Sequence, residues 1–452
     1  MSNNSVHDVL IIGGGVSGTA LLYQLARFTD LKRIALLEKY SDLATVNSHG
    51  RNNSQTLHCG DIETNYSLEK AREVQRTARM LVNFSLASPD HDQWLFKHSK
   101  MVIGVGEQEG RFLRERYETF SSDFPAMRFI MRDEIAGLEP NVVQGRKEEI
   151  NAIAILDEYT TVNFSTLSRA FAKQAQAVEN KQVEVALNTY VGKIHKDGDL
   201  YQVQTNKGRY QARFVVVCAG GHSLLFAHQM GHGLHYSCLP MAGSFYYVPR
   251  LLQGKVYTVQ NDKLPFAAIH GDPDILVPEK SRLGPTALMT PVLERYNIST
   301  LPEFLRVLRL DLDVLRVMWD LFKVSDIRNY IFRNMLYEIP VVRRRLFLRD
   351  ARKIIPELKL DDLSFASKIG GVRPVMIDKQ ARKLHMGEAK LDTGEGIIFN
   401  MTPSPGATSC LGNAEGDVRI IADYLGCGFD EAAFTETLLG EDSSSTGKKE
   451  IA

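Results

Sequence analysis

The stretch Asp8-Val9-Leu10-Ile11-Ile12-Gly13-Gly14-Gly15-Val16-Ser17-Gly18 decides the fold. Four apolar residues run into a glycine-rich turn, and Thr19 to Phe28 then carry apolar side chains at helical spacing, so the segment reads as strand, tight turn and helix. Gly13 lets the chain turn sharply, Gly15 removes a side chain where a pyrophosphate would approach the backbone, and Gly18 lets the helix pack closely on its strand. The N–H groups opening the helix, around Val16 and Ser17, favour an anion there. A second strand, Ile34 to Leu37, ends in Glu38 followed by Lys39, with Glu38 lying 20 residues beyond Gly18. A carboxylate at that position accepts hydrogen bonds from both ribose hydroxyls and repels a 2′-phosphate. The expected fold class is α/β with a Rossmann-like nucleotide domain.

These glycines do not separate NAD from FAD, but three later segments favour FAD. Val183 to Val191 reads as a strand entering a turn. Phe214 to Cys218 reads as a buried strand ending in Ala219, Gly220 and Gly221, small residues that allow close approach to a ligand. Thr402-Pro403-Ser404-Pro405-Gly406-Ala407-Thr408 leads into an amphipathic helical pattern from about Ser409 to Leu425, and a helix N-terminus there would stabilise negative charge on a flavin ring. A second glycine motif, Gly104 to Gly110, would place Glu107 and Glu109 against a pyrophosphate, so it is expected to be a turn in another domain.

The 452 residues carry 54 basic and 54 acidic side chains, so no overall field draws the chain to nucleic acid. No apolar window approaches the length of a spanning helix, and Met1 to Asp8 lack the features of a signal peptide, which predicts a cytoplasmic protein. Cys59, Cys218, Cys238, Cys410 and Cys427 are far apart and read as reduced thiols. His228, His232 and His235 have a metal-like spacing, but Gly231 and Gly233 interrupt any helix that would align them, and no metal is expected. Hydrolase and NTPase motifs do not occur.

Several segments together resemble the malate:quinone oxidoreductase family. They are Asn53-Ser54-Gln55-Thr56-Leu57-His58-Cys59-Gly60-Asp61-Ile62-Glu63-Thr64-Asn65-Tyr66, Leu264 to Pro273, Arg282 to Ala287, Val372-Arg373-Pro374 and Asn400 to Thr408. The resemblance covers about residues 6 to 428 and places the chain among flavoproteins of the D-amino-acid oxidase type. It implies FAD, oxidation of malate to oxaloacetate, and electrons passed to a membrane quinone. The alternatives are an L-2-hydroxyglutarate or other 2-hydroxy-acid dehydrogenase and, from another class, a non-catalytic binding protein on the same scaffold. The implied architecture is a discontinuous FAD domain (1–85, 148–235 and 366–440), a mixed-sheet substrate domain (86–147 and 236–365), and a disordered tail (441–452).

Malate oxidation needs a base for the hydroxyl proton, cations for two carboxylates and a dry pocket. An imidazole takes a proton near neutrality, so His270 is the preferred base and His58 the alternative. The resemblance implies that Arg373 faces a substrate carboxylate, for which its planar fork is suited. Arg282 is a candidate second cation, and Gln55 is expected to contact substrate or flavin unless it only satisfies loop backbone. The expected FAD contacts are Gly13, Gly15, Val16, Ser17, Gly18, Glu38, Lys39, Ser54, Gln55, Thr56, Val191, Ala219, Gly220, Gly406, Ala407 and Thr408.

Reaching a lipid-soluble quinone requires contact with the bilayer, here expected on the inner face of the cell membrane. Between Leu301 and Lys353 twelve Lys/Arg stand against seven Asp/Glu, interleaved with large apolar residues. The segment reads as amphipathic helices with a basic face that includes Arg343-Arg344-Arg345.

Overall fold

The computed structural model describes residues 5–260, 268–385, 388–402 and 405–440. Leu264 to Ala267, Pro403, Ser404 and the tail from residue 441, all singled out in the sequence, lie outside the described residues.

The opening unit forms as read: strand β1 (Val6–Ile12), helix α1 (Val16–Phe28) and strand β2 (Arg33–Leu37). β1 lies between β2 and Gly208–Val217, parallel to both, in a sheet ordered Ala389–Asp392, Ile397–Met401, Gly208–Val217, β1, β2, Gln182–Ala186. Val9 and Ile11 pack in one apolar core with α1 and the helices Phe164–Gln176 and Cys410–Leu425. Leu10 and Ile12 pack in a second core with Val191, Ile194, Tyr201 and helix Gly221–Gln229. Burial on both faces explains why the strand is apolar throughout rather than alternating. The molecule is thus of the α/β class.

A second eight-stranded sheet is ordered Ser364–Phe365, Tyr246–Pro249, Lys280–Gly284, His270–Pro273, Lys255–Thr258, Lys100–Val105, Ile150–Ile155, Arg128–Met131. It is mixed, because Lys255–Thr258 pairs parallel with Lys100–Val105 while its other pairings are antiparallel. A third, antiparallel sheet joins Tyr236–Ala242 to Val372–Asp378. Two strand pairings run across the expected division. Ile150–Ile155, grouped by sequence with the nucleotide segments, belongs to the second sheet, and Val372–Asp378 pairs with a strand assigned to the substrate segments. An apolar strand pattern carries no label for the sheet it joins.

Gly104 to Gly110, expected as a turn, instead run from strand Lys100–Val105 of that second sheet directly into helix Gly106–Phe120. Glu109 lies at this junction, accepting from the Val105 N–H at 3.0 Å and pairing with Lys353 at 2.5 Å. His228 Nε2 donates to the Gly233 carbonyl at 3.1 Å, and burial pushes this imidazole down to about 4. All five cysteines are free thiols.

Residues 301–353 form four helices: α2 (Leu301–Leu308), α3 (Leu312–Lys323), α4 (Ser325–Leu336) and α5 (Arg343–Ala351). Val314 and Val317 of α3 pack on Leu239, Met241, Val375 and Ile377 of the third sheet. The expected basic face is corrected only at Arg343 and Arg344; Arg306, Arg316, Lys323, Arg328, Arg333 and Arg349 of the same segment are exposed. The Arg343 guanidinium lies 3.8 Å from the Phe365 ring centre, and Arg344 donates to the Leu360 carbonyl at 2.5 Å, so of the three arginines only Arg345 is exposed. Beside the exposed Arg316, Lys323, Arg328 and Arg333, α3 and α4 also expose large apolar side chains. Leu312, Leu315 and Trp319, at helical spacing on α3, are 69%, 50% and 65% exposed, and Phe332, Met335 and Leu336 are exposed on α4. No helix among the described residues is long and apolar enough to cross a membrane.

Candidate active site

One cavity of about 600 Å³ takes in both the turn after β1 and residues from the second and third sheets. At the turn, Gly13 has φ +112° and an added Cβ would fall 2.4 Å from the Cys218 carbonyl oxygen, a position open only to glycine. A Cβ on Gly18 would fall 2.0 Å from the Gly13 carbonyl oxygen, so Gly18 sets the closeness of α1 to the turn without itself lining the cavity. Gly15 begins α1 with no side-chain cap, and Gly15, Val16 and Ser17 line the cavity. Glu38 accepts from the Gly14 N–H at 2.7 Å with one oxygen and from the Tyr40 N–H at 2.9 Å with the other. Burial pushes its carboxyl upward, against those two N–H groups. Each oxygen keeps acceptor capacity toward the cavity.

Lys39, Ser54, Thr56, Val191, Ala219, Gly220, Gly406, Ala407 and Thr408 also line this space. These residues fit an FAD. A helix N-terminus whose N-cap Gly15 offers no side chain and whose Val16 N–H meets the Ser48 hydroxyl, a glycine cradle and the Glu38 carboxylate line one cavity, and the Thr45 hydroxyl on its wall is buried without a hydrogen-bond partner.

His58, His270 and Arg373 converge on the same cavity from three elements. Arg373 lies on Val372–Asp378, whose first residue is held by the Asn47 amide: Val372 N–H donates to Asn47 Oδ1 at 3.0 Å and Asn47 Nδ2 to the Val372 carbonyl at 2.9 Å. Among the described residues Arg373 pairs with no carboxylate. Burial lowers its pKa, opposed by the neighbouring Tyr66 and Tyr330 phenols. A guanidinium stays charged under such a shift. Tyr66 also lines the cavity, and burial, followed by the charge of Glu63, pushes its phenol far up, so it presents a neutral hydroxyl.

His270 stacks on Tyr257 with ring centres 4.6 Å apart. Its Nδ1 lies 3.3 Å from the Ala268 carbonyl oxygen and its Nε2 3.2 Å from Asp272 Oδ2, although the latter contact is poorly aligned as a hydrogen bond. Asp272 is fully buried and also meets Lys255 at 3.2 Å. Burial pushes its carboxyl upward, but Lys255 and His270 outweigh this and hold it well below the usual carboxylate range. Lys255 in turn donates to the Thr56 hydroxyl at 3.2 Å, tying the loop after Asn53 to the second sheet. His58 Nδ1 lies 2.8 Å from Glu63 Oε1, and its Nε2 has no partner among the described residues.

Two candidates are not brought to the cavity. Gln55 is fully buried with its amide donating to Gly50 O at 3.1 Å and Asp274 Oδ1 at 3.0 Å, and accepting from Ile275 N–H at 3.1 Å. It satisfies loop backbone. Arg282 is fully buried behind the wall, 3.2 Å from Gly50 O, 3.7 Å from Asp274 and 4.6 Å over the Phe245 ring. Glu63, Tyr66 and Tyr257 were not among the expected site residues, although two of them lie in the quoted Asn53 to Tyr66 run.

The fold and cavity define a nucleotide-dependent redox protein, and the family model described as DAO, FAD dependent oxidoreductase, matches residues 8–415. The FAD-bound L-alpha-glycerophosphate oxidase from Mycoplasma pneumoniae superposes with a TM-score of 0.63 at 20% identity, covering 92% of this chain and 95% of that one. A probable malate:quinone oxidoreductase of Campylobacter jejuni is 50% identical over 96% of this chain and 99% of its own length. The malate:quinone oxidoreductase of Helicobacter pylori strain 26695 is 46% identical over 96% and 98%. The chain belongs to the malate:quinone oxidoreductase family.

Proposed function

We propose that this chain oxidises (S)-malate to oxaloacetate with FAD as cofactor and quinone as electron acceptor. The observation that carries the reading is Arg373, a half-buried cation on the cavity wall with no carboxylate partner among the described residues, facing the same space as two histidines. A buried charge is tolerated when a ligand pairs it, and an anionic substrate does so here. FAD, which Gly13, Gly15, Glu38 and Gly406 to Thr408 would hold, would supply the electron sink for the C2 hydrogen and a route to quinone.

The remaining tasks fall to the protein. Arg373 grips one carboxylate through its fork, with the Tyr66 hydroxyl beside it. His58 takes the hydroxyl proton, because its Nδ1 is held by Glu63 and its Nε2 is open, whereas His270 Nε2 lies 3.2 Å from the Asp272 carboxylate without an aligned hydrogen bond. His270, stacked on Tyr257, also lines the cavity and keeps the substrate aligned.

Anaerobic mixing of the FAD-loaded protein with L-malate, D-malate and L-2-hydroxyglutarate tests the reading. L-malate is expected to bleach the flavin fastest, and a soluble quinone to restore its colour. Faster bleaching by L-2-hydroxyglutarate would transfer the assignment to that substrate.

The exposed apolar stripes on α3 and α4 support peripheral contact with the cell membrane, the step that gives access to quinone. Helix α3 is apolar on two sides. Its inner side packs on the third sheet, so Leu312, Leu315 and Trp319 are left to cover something else, and a headgroup layer suits them. Replacing these three with Ser is expected to weaken binding to lipid vesicles by at least about a thousandfold, given about 1.5–3 kcal/mol for each large side chain fully buried. Turnover with a soluble quinone should stay unchanged. Vesicle binding equal to that of the parent would exclude this face.

A further inference from the structure

The loop from His58 to Tyr66 holds a carboxylate that the reaction scheme above does not use. Glu63 is buried, its side chain 10% exposed, and its Oε1 lies 2.8 Å from His58 Nδ1. Both residues are pinned by backbone contacts. The His58 N–H donates to the Thr408 hydroxyl at 3.1 Å, and Arg116, stacked on Phe120, donates to the Glu63 carbonyl at 2.6 Å and to the Tyr66 carbonyl at 3.1 Å. Behind them Lys100, fully buried, pairs with Asp61 at 2.8 Å and lies 3.7 Å from Glu158. Lys100 therefore fills the space between Cys59, Asp61 and Glu158 that would otherwise suit a cation.

We propose that Glu63 is the positioning residue of His58: its carboxylate fixes the proton on Nδ1 and thereby keeps the Nε2 lone pair available to the cavity. This rests on the reading of the chain as a malate oxidase. An ionised carboxylate only accepts, so the ring nitrogen it faces must carry hydrogen, and the other nitrogen of a neutral imidazole is then the acceptor. Burial opposes the ionised form of Glu63, but the bond from His58 and the charges of His58 and Lys100 hold its carboxyl below the ordinary value. In the reaction the substrate O–H bond breaks and its proton forms the Nε2–H bond. The oxygen electron pair becomes the second bond of the ketone as the C2 hydrogen leaves with its own pair for the bound FAD. Glu63 then lies against the imidazolium that results, neutralising it at hydrogen-bond distance.

The experiment uses FAD-loaded protein with ¹⁵N-labelled histidine. In the parent the His58 signals are expected to report the Nδ1–H tautomer, which needs no turnover to be seen. In Glu63→Gln the side-chain amide can donate to Nδ1 and move the proton to Nε2, so the tautomer signature should change. The rate of flavin bleaching by malate should then fall at least about a hundredfold. Binding of succinate, a dicarboxylate with no hydroxyl to oxidise, should change less than about threefold, giving a loss in kcat and not in affinity. Glu63→Asp should restore part of the rate. A parent protein with its proton on Nε2, or a Glu63→Gln protein that bleaches at a rate within about threefold of the parent, would overturn the proposal. Should malate fail to bleach the parent, the substrate assignment fails, and the tautomer measurement still decides whether Glu63 orients His58. If Glu63→Gln does not fold, the parent spectrum and Glu63→Asp carry the test.

Discussion

Arg373→Met is expected to lower kcat/KM for malate by roughly thirtyfold to several thousandfold while leaving the protein as stable as before, or more so. The first half follows from charge. Removing one partner of a desolvated, hydrogen-bonded ion pair costs about 2–5 kcal/mol, and in the complex the partner left alone is the substrate carboxylate. The second half follows from what Arg373 lacks. It is a half-buried cation paired with no carboxylate among the described residues, and burial lowers its pKa, which records a desolvation cost the free protein bears. A thioether of similar length removes that cost. Arg373→Lys keeps the charge and loses the fork, so it should fall between the two. Succinate titration, malate kinetics and thermal unfolding check the three statements together. If Arg373→Met loses stability and keeps its affinity for dicarboxylates, the side chain is structural.

Gly18→Ala is expected to give protein nearly free of flavin. The added methyl would sit 2.0 Å from the Gly13 carbonyl oxygen and 3.3 Å from the Ile11 side chain, so α1 must move away from β1. Overpacking of this kind costs about 1–3 kcal/mol in stability. The larger effect is on the cofactor, because the helix N-terminus and the turn that face the pyrophosphate move apart. Gly15→Ala offers a graded comparison. Its methyl would meet only the Ser48 hydroxyl, at 3.3 Å, so the fold should persist and any lost flavin report the ligand's own need for space. The ratio of visible flavin absorbance to protein, with the unfolding temperature, reads both variants. Full flavin content in Gly18→Ala would refute the argument.

The nucleotide half was legible because its information is local. A buried strand, three glycines and a terminal Glu act on neighbours within thirty residues, and each glycine has a steric reason that can be stated before any coordinates exist. The second and third sheets were less so. Ile150–Ile155 carries the same apolar pattern whichever sheet it joins, and only its pairing with Lys100–Val105 decides the matter. Arg282 and Gln55 occur in segments that do border the cavity, yet their side chains turn away from it into contacts with Gly50 and Asp274. In the basic helices, charge composition suggested the surface, but two of three consecutive arginines are spent on Phe365 and Leu360.

By itself the sequence determined the strand, glycine turn and helix of a dinucleotide-type unit with Glu38 at the end of its second strand, because residue type and short spacing act there through local sterics. It named His58 and His270 as candidates from their ionisation and Arg373 from a family resemblance, and the structure brings the three to one cavity. The tertiary structure alone decided which nitrogen of which histidine is open, that Arg373 has no carboxylate beside it among the described residues, and that Glu63 lies behind His58. Those outcomes depend on the direction of side chains brought together from distant strands, where burial and the nearest opposite charge set the chemistry and sequence separation does not.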